Sequence, residues 1–238
     1  MTRCCSGRGS KITGKGRAKM TKQDIKLGIG IPLTDDKVHS QFLDSWVLMD
    51  RPNFTYLRPD HRGPIAEVRN RIVMEALDNG CTHLIMMDTD QEYPPNTITK
   101  LLSNDLDCVG AMVYRRYPPF DPVMMRRGSQ GEFCQVPEEE MFSKKVIEVE
   151  ATGCGCLMFR TEVFESIPYP WFEFMPAEGP GAGMGEDVGF CVKLRNAGYK
   201  IFVDTSIEVD HLAIMSVNRA AYEIFKVAQG VKKTESDK

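Results

Sequence analysis

Two carboxylates, Asp88 and Asp90, stand one residue apart at the end of the apolar run His83-Leu84-Ile85-Met86-Met87. Along an extended segment alternate side chains share a face, so the pair points one way and Thr89 the other. Like charges held that close repel, and a hydrated divalent cation makes the arrangement favourable. The C-terminal end of a strand is also where open α/β sheets bind ligands. The plain alternative is a surface turn, because loops are rich in aspartate.

A second acidic pair, Glu186-Asp187, follows Gly185 and opens a helical stretch that runs to Gly198. Acids in a first helical turn are favoured by the macrodipole, so capping alone would explain them. A strand over Tyr199–Asp204 and a second short strand from Ile207 end at His211. A lone histidine is usually structural; one closing a segment that begins with paired acids is a candidate ligand.

The elements that must position these groups read as alternating strand and helix. Residues 26–31 form a buried strand, and Thr34 or Asp35 caps a helix through Phe42, Trp46 and Val47. Phe54–Leu57 is a second strand. Ile65, Val68, Ile72, Val73, Ala76 and Leu77 lie on one helical face that Gly80 stops. Strand 82–87 delivers the Asp pair, Pro94-Pro95 starts a short helix ending near Leu102, and Asp107–Val113 is another strand. This order predicts an α/β fold with a mostly parallel sheet and right-handed crossovers. Residues 114–145 are loop-rich, with Arg115-Arg116, Arg126-Arg127 and Glu138-Glu139-Glu140, and residues 175–185 read as mobile. A last helix, about 217–230, has Val217, Ala221, Ile224, Phe225 and Ala228 on one face, expected to pack on the domain.

At 238 residues, with 42% hydrophobic and 26% charged residues, the chain fits one globular domain. No apolar run approaches the roughly 18 residues needed to cross a bilayer, and no secretory signal stands at the N-terminus. Residues 1–23 hold seven Lys or Arg and no acid, so the remainder carries about −10 against −3 overall. This leader is expected to be disordered, ahead of a single domain over 24–238. Met20 restarts a tidy Met-Thr-Lys-Gln-Asp opening, so residues 1–19 read as an over-extended frame; a basic arm for an anionic polymer is the alternative. The eight cysteines include no C-x₂-C pair, which argues against zinc and for a reducing cytoplasm.

Taken in order, Lys26-Leu27-Gly28-Ile29-Gly30-Ile31-Pro32, Arg69-Asn70, Asp88-Thr89-Asp90, Ala151-Thr152-Gly153-Cys154-Gly155-Cys156-Leu157-Met158 and Gly185-Glu186-Asp187 with His211 resemble a GT-A-fold glycosyltransferase of the broad family-2-like type, small and phage-like. The resemblance covers roughly residues 25–215. It implies the nucleotide-diphospho-sugar transferase fold, a mostly parallel twisted sheet flanked by helices. It implies a hexosyltransferase that uses a nucleotide-diphosphate sugar, a UDP-sugar first among them. Asp90 and His211 would hold Mn²⁺ or Mg²⁺, with Asp88 on the ribose, the ion or its water. Pro32 and Thr34 would cradle the nucleotide. Arg69, Asn70 and Thr89 belong to the donor site, Arg69 reaching the diphosphate or base, and Gly153 and Gly155 lie beside the donor sugar. Asp187 is the expected general base of an inverting reaction, with Glu186 beside it on the acceptor; retaining relatives also carry acids here, so the stereochemistry stays open.

Other classes fit less well. Gly28 and Gly30 lack the third glycine of a dinucleotide fingerprint, Leu33 standing there, and Gly181-Ala182-Gly183 follows no strand. A sugar nucleotidylyltransferase would need a glycine-rich basic loop after the first strand. A non-catalytic sugar-nucleotide-binding module would be expected to have lost Asp187 or one of the Asp pair. The acceptor stays open among a protein, a glycan and a modified nucleic-acid base; for DNA, the leader or the two Arg pairs would have to supply the phosphate contacts.

Overall fold

The computed structural model describes residues 25–34, 36–59, 63–176 and 183–236, and the basic leader lies outside them. The first half of the chain runs β1 (Leu27–Gly30), α1 (Ser40–Leu48), β2 (Phe54–Leu57), α2 (Ile65–Asp78), β3 (His83–Met87), β4 (Gln91–Glu92), α3 (Thr97–Ser103) and β5 (Cys108–Val113). Then come β6 (Met124–Arg127), β7 (Phe133–Gln135), α4 (Glu138–Met141), β8 (Val146–Val149), β9 (Ala151–Thr152), β10 (Cys156–Arg160) and α5 (Glu162–Glu165). The chain closes with α6 (Glu186–Asn196), β11 (Ile201–His211) and α7 (Arg219–Ser236).

The main sheet has the order β2-β1-β3-β10-β5-β11-β4, with β8 added beside β11. β2, β1, β3, β5 and β11 all run in one direction. β10 runs against both of its neighbours, β3 and β5. The apolar runs of β1, β3 and β5 are buried along their whole length, as strands covered on both faces must be. One face packs on α2 and α6, with Phe159, Phe164, Phe172 and Phe190 at its centre. The Phe172 and Phe190 rings stack 4.5 Å apart. The other face carries Phe42 and Tyr93 with Ile98 and Leu101 of α3.

α2 buries the face its periodicity predicts, Val68, Ile72, Val73 and Ala76, and the chain turns out of it at Gly80 with φ +63°. Full burial of an isoleucine such as Ile72 is worth about 1.5–3 kcal/mol. The helix lies tight on β1: a Cβ at Gly30 would sit 2.3 Å from Ile72 Cγ2, which is why glycine stands there.

Four sequence expectations change. α1 starts at Ser40, not at Thr34 or Asp35. Residues 36–39 are exposed and Phe42 is the first apolar side chain buried, so an earlier turn would have no packing face. The strand ends at Met87 and residues 88–90 form a turn, so simple alternation does not aim the Asp pair. The two short strands expected over 199–204 and 207–211 are one strand, β11, with a register shift between Asp204 and Glu208. α7 forms from Arg219 to Ser236, yet its apolar face is not packed on the domain: Tyr222, Ile224 and Phe225 are 60%, 70% and 59% exposed. The mobile reading of 175–185 falls largely outside the described residues.

Candidate active site

Pro32, Arg69, the Asp88–Asp90 turn, Gly153 and Gly155, Glu186-Asp187 and His211 meet in one cavity. β3 ends beneath Asp88, and the turn that follows carries Asp90 into β4. β4 is only two residues long, but it pairs antiparallel with the end of β11, Gln91 opposite His211 and Glu92 opposite Asp210. The Leu212 amide donates to the Asp90 carbonyl at 2.8 Å and closes the junction. This pairing brings together two side chains 121 residues apart, with His211 Nε2 3.1 Å from Asp90 Oδ2.

His211 Nδ1 lies 2.8 Å from the Tyr114 carbonyl, so it carries the proton and donates there. Nε2 is then left as a lone pair facing a carboxylate oxygen. Two acceptors at that distance need a proton or a cation between them. The Asp90 hydrogen bond raises the His211 pKa above its ordinary value. Burial pushes the Asp90 carboxyl up, and the His211 and Arg116 contacts outweigh it and hold it below the usual range. An imidazole oriented through its far nitrogen beside a carboxylate is the usual form of a metal-ligand pair. Among the described residues no group of three or more His, Cys, Asp or Glu could hold a metal. Asp90 and His211 would offer a divalent ion such as Mn²⁺ or Mg²⁺ one oxygen and one nitrogen donor, and its remaining positions would need substrate oxygens and water.

Arg69 is the hub of the other half of the site. It projects from α2 and is 3% exposed. Its Nη2 donates to both oxygens of Asp88 at 3.0 and 3.1 Å, its Nη1 to the Cys154 carbonyl at 3.3 Å, and its Nε lies 3.4 Å from Glu186 Oε1. Burial works against the guanidinium charge, but Asp88, Cys154, Glu186 and Asp187 around it keep its pKa above normal. Arg69 thus ties the Asp turn, the Gly153–Gly155 segment and the start of α6 together, and it lines the cavity. Asp88 turns both oxygens to this guanidinium and also lines the cavity.

Gly185 stands as N-cap of α6, so Glu186 and Asp187 occupy its first turn. Both also line the cavity. Burial raises the pKa of Glu186, with Arg69 opposing. Burial also raises that of Asp187, opposed by the Val188 amide, which donates to Asp187 Oδ1 at 2.7 Å. Such carboxyls lie nearer the range in which they exchange protons with a substrate.

The segment between β9 and β10 forms the floor. The Gly155 carbonyl accepts from the Asp88 amide at 2.9 Å, and the Tyr93 hydroxyl lies 2.7 Å from the Asp88 carbonyl and 2.9 Å from that of Gly155. A Cβ on Gly155 would fall 2.0 Å from Gln91 Nε2 and 3.0 Å from Asp88 Oδ2. At Gly153 it would meet Val123 and Asp187 at ordinary contact distance, so glycine there leaves open volume rather than avoiding a clash.

The result is a cavity of about 520 Å³. Of the residues expected from the sequence, Pro32, Thr34, Arg69, Asp88, Thr89, Asp90, Gly153, Gly155, Glu186, Asp187 and His211 line it. Asn70 does not. It is buried behind the site, its amide donating to the Phe172 carbonyl at 2.8 Å and accepting from the Phe172 amide at 2.9 Å, and so fixes the segment before α6. Not foreseen as site residues were Lys37, His39, Gln91 and Arg116. Arg116 is visible in the sequence only as half of an Arg pair in a loop, while Gln91 directly continues the Asp motif.

No protein-family model matches the chain, and no curated protein matches it. Solved structures do. A197 from STIV is 17% identical, with 82% of this chain matched to 97% of A197 at a TM-score of 0.51. TarS residues 1–349 of S. aureus are 14% identical, with 79% of this chain matched to 60% of TarS at 0.50. GalNAc-T7, solved with UDP, GalNAc and Mn²⁺, is 12% identical over 81% of this chain and 44% of that one, at 0.49. This chain thus spans nearly all of A197 and less than two thirds of the other two. The architecture these structures share with it, together with the ordered motifs at one end of its sheet, is the GT-A fold of the glycosyltransferases.

Proposed function

We propose that this protein is a metal-dependent glycosyltransferase that moves a sugar from a nucleotide-diphosphate donor to a hydroxyl acceptor with inversion. UDP-sugars are the first donors to test. The observation that carries the reading is the meeting, in one cavity, of the Asp90–His211 pair with the buried Glu186 and the half-buried Asp187. Transfer requires charge neutralisation at a leaving diphosphate, a base for the acceptor hydroxyl, and alignment of the two. When bound at Asp90 and His211, a divalent ion supplies positive charge against the leaving diphosphate. Pro32 and Thr34 line the nucleotide end, and Asp88, held rigid by Arg69, offers acceptor oxygens for a ribose hydroxyl. Gly153 leaves volume for the sugar, and Gly155 lets Gln91 and Asp88 close on the floor of the cavity. Asp187 takes the acceptor proton; a placed carboxylate contributes about 10²- to 10⁴-fold. Glu186, neutralised in part by Arg69, stands beside it for acceptor binding.

The described free thiols, Cys81, Cys108, Cys134, Cys154, Cys156 and Cys191, suit a cytoplasmic site of action. No described helix is long and apolar enough to cross a membrane. The acceptor in this reading is a protein, a glycan or a modified nucleic-acid base.

The test is nucleotide release from a panel of nucleotide sugars with and without Mn²⁺, because many transferases hydrolyse the donor slowly in the absence of acceptor. Release from one donor, abolished by chelation and by Asp90→Ala, is the expected result. Donor binding with no release under any metal would instead favour a non-catalytic binding module.

A further inference from the structure

We infer that Arg116 holds the cation position at Asp90 until a nucleotide diphosphate arrives, making ion and nucleotide binding cooperative; the inference rests on the glycosyltransferase reading above. Arg116 Nη1 lies 2.8 Å from Asp90 Oδ2, the same oxygen that faces His211 Nε2. The two ends of the His211–Asp90 pair are therefore gripped from one short segment, by the Tyr114 carbonyl at Nδ1 and by the Arg116 guanidinium at the carboxylate. This segment leaves β5 and lines the cavity, and the Arg116 side chain is 43% exposed, resting 5.5 Å from the Tyr117 ring.

A divalent ion ligated by Asp90 would sit about 2.0–2.2 Å from the carboxylate oxygen. A guanidinium on that oxygen would then be a like charge at contact distance, so ion and Arg116 exclude each other there. In the cavity Asp88 and Glu186 already face Arg69, and Asp187 already accepts from the Val188 amide, so the displaced guanidinium has poor alternatives there. A diphosphate is the missing partner: it offers oxygens that suit an arginine fork. Ion binding alone thus breaks the Arg116–Asp90 contact without replacement, whereas ion and diphosphate together restore one. Linkage makes the effect reciprocal, each ligand tightening the other by the same factor. Arg116 is in this sense a positioning residue, acting on the ion through Asp90.

The test is Mn²⁺ affinity, read from the free-ion electron paramagnetic resonance signal and by calorimetry, with and without UDP. The proteins compared are the wild type, Arg116→Gln and Arg115→Gln. Arg115 lines the same cavity, and its substitution removes an equal charge without the Asp90 contact. Arg116→Gln should bind Mn²⁺ alone about two- to fivefold tighter, the worth of a half-exposed ion pair. It should bind UDP about tenfold weaker in the presence of Mn²⁺, through the lost charge-assisted hydrogen bonds. The tightening of Mn²⁺ by UDP shrinks accordingly, and Arg115→Gln keeps the wild-type Mn²⁺ affinity. Unchanged or weaker Mn²⁺ binding in Arg116→Gln, an equal change in Arg115→Gln, or a wild type in which UDP does not tighten Mn²⁺ overturns the inference alone. A wild type that takes up neither Mn²⁺ nor UDP overturns the transferase reading and this inference with it.

Discussion

Replacing Arg69 by alanine separates two views of the residue most firmly. If Arg69 were a donor contact, Arg69→Ala would weaken nucleotide binding and leave folding alone. The structure makes it a buried hub, facing Asp88, Glu186 and the Cys154 carbonyl at 3.0–3.4 Å. Removing one partner of a buried ion pair strands the others and costs about 3–5 kcal/mol. The Asp88 and Glu186 side chains are 24% and 11% exposed, so some water reaches them and the lower end of that range applies. For a domain of this size each kcal/mol moves Tm by about 2–4 °C, so a loss of about 3 kcal/mol lowers Tm by about 6–12 °C. The loss should depend on pH in a defined direction. Burial raises the Glu186 pKa and Arg69 opposes it, so without Arg69 the carboxyl protonates at higher pH. A protonated Glu186 is no longer an unpaired charge, so the deficit is largest near neutrality and shrinks as pH falls toward the carboxylate range. Calorimetric unfolding of both proteins at several pH values measures this. An Arg69→Ala protein that melts with the wild type at every pH while losing donor affinity would refute the hub.

Two further substitutions follow from the same geometry. Gly155→Ala drives a methyl against the Gln91 amide and Asp88 Oδ2, so Gln91 must leave its place; the protein should still fold but bind the sugar nucleotide at least about tenfold more weakly, at about 1.4 kcal/mol per tenfold, by calorimetric titration. Asp187→Asn should retain donor binding, lose about 10²-fold or more in turnover, and melt higher than the wild type at neutral pH. The sign follows from burial: the folded-state pKa of Asp187 is raised, so the ionised form destabilises the fold as pH rises through it, and the amide lacks that penalty. A melting point below that of the wild type would contradict the account of its burial.

The portions of the chain that were legible beforehand are those governed by near neighbours. β1, β2, α2, β3 and β5 stand where apolar runs, 3.6-residue periodicity and Gly80 put them. The site motifs were legible as residue types, because paired acids, small residues and a terminal histidine keep the same chemistry wherever the chain places them. α1 was misplaced because a good cap at Thr34 or Asp35 has no value without an apolar face behind it. α7 shows the converse: its amphipathic pattern is real and the helix forms, but periodicity says nothing of what an apolar face lies against.

The roles within the site were decided only by tertiary contacts. Nothing local distinguishes Arg69 from Asn70 as lining or buried behind the cavity, since adjacent helical positions point about 100° apart and the answer depends on what packs over each. Nothing local joins Arg116 to Asp90, or Asp90 to His211 across 121 residues. By itself the sequence determined the strands, the crossover helix and the stock of acids, glycines and histidine available to one end of a sheet, because backbone propensity and side-chain period act over a few residues. The tertiary structure alone decided which carboxylate faces which cation, because hydrogen-bond distance and desolvation are set by the pairing of β4 with β11 and by the insertion of β10 between β3 and β5.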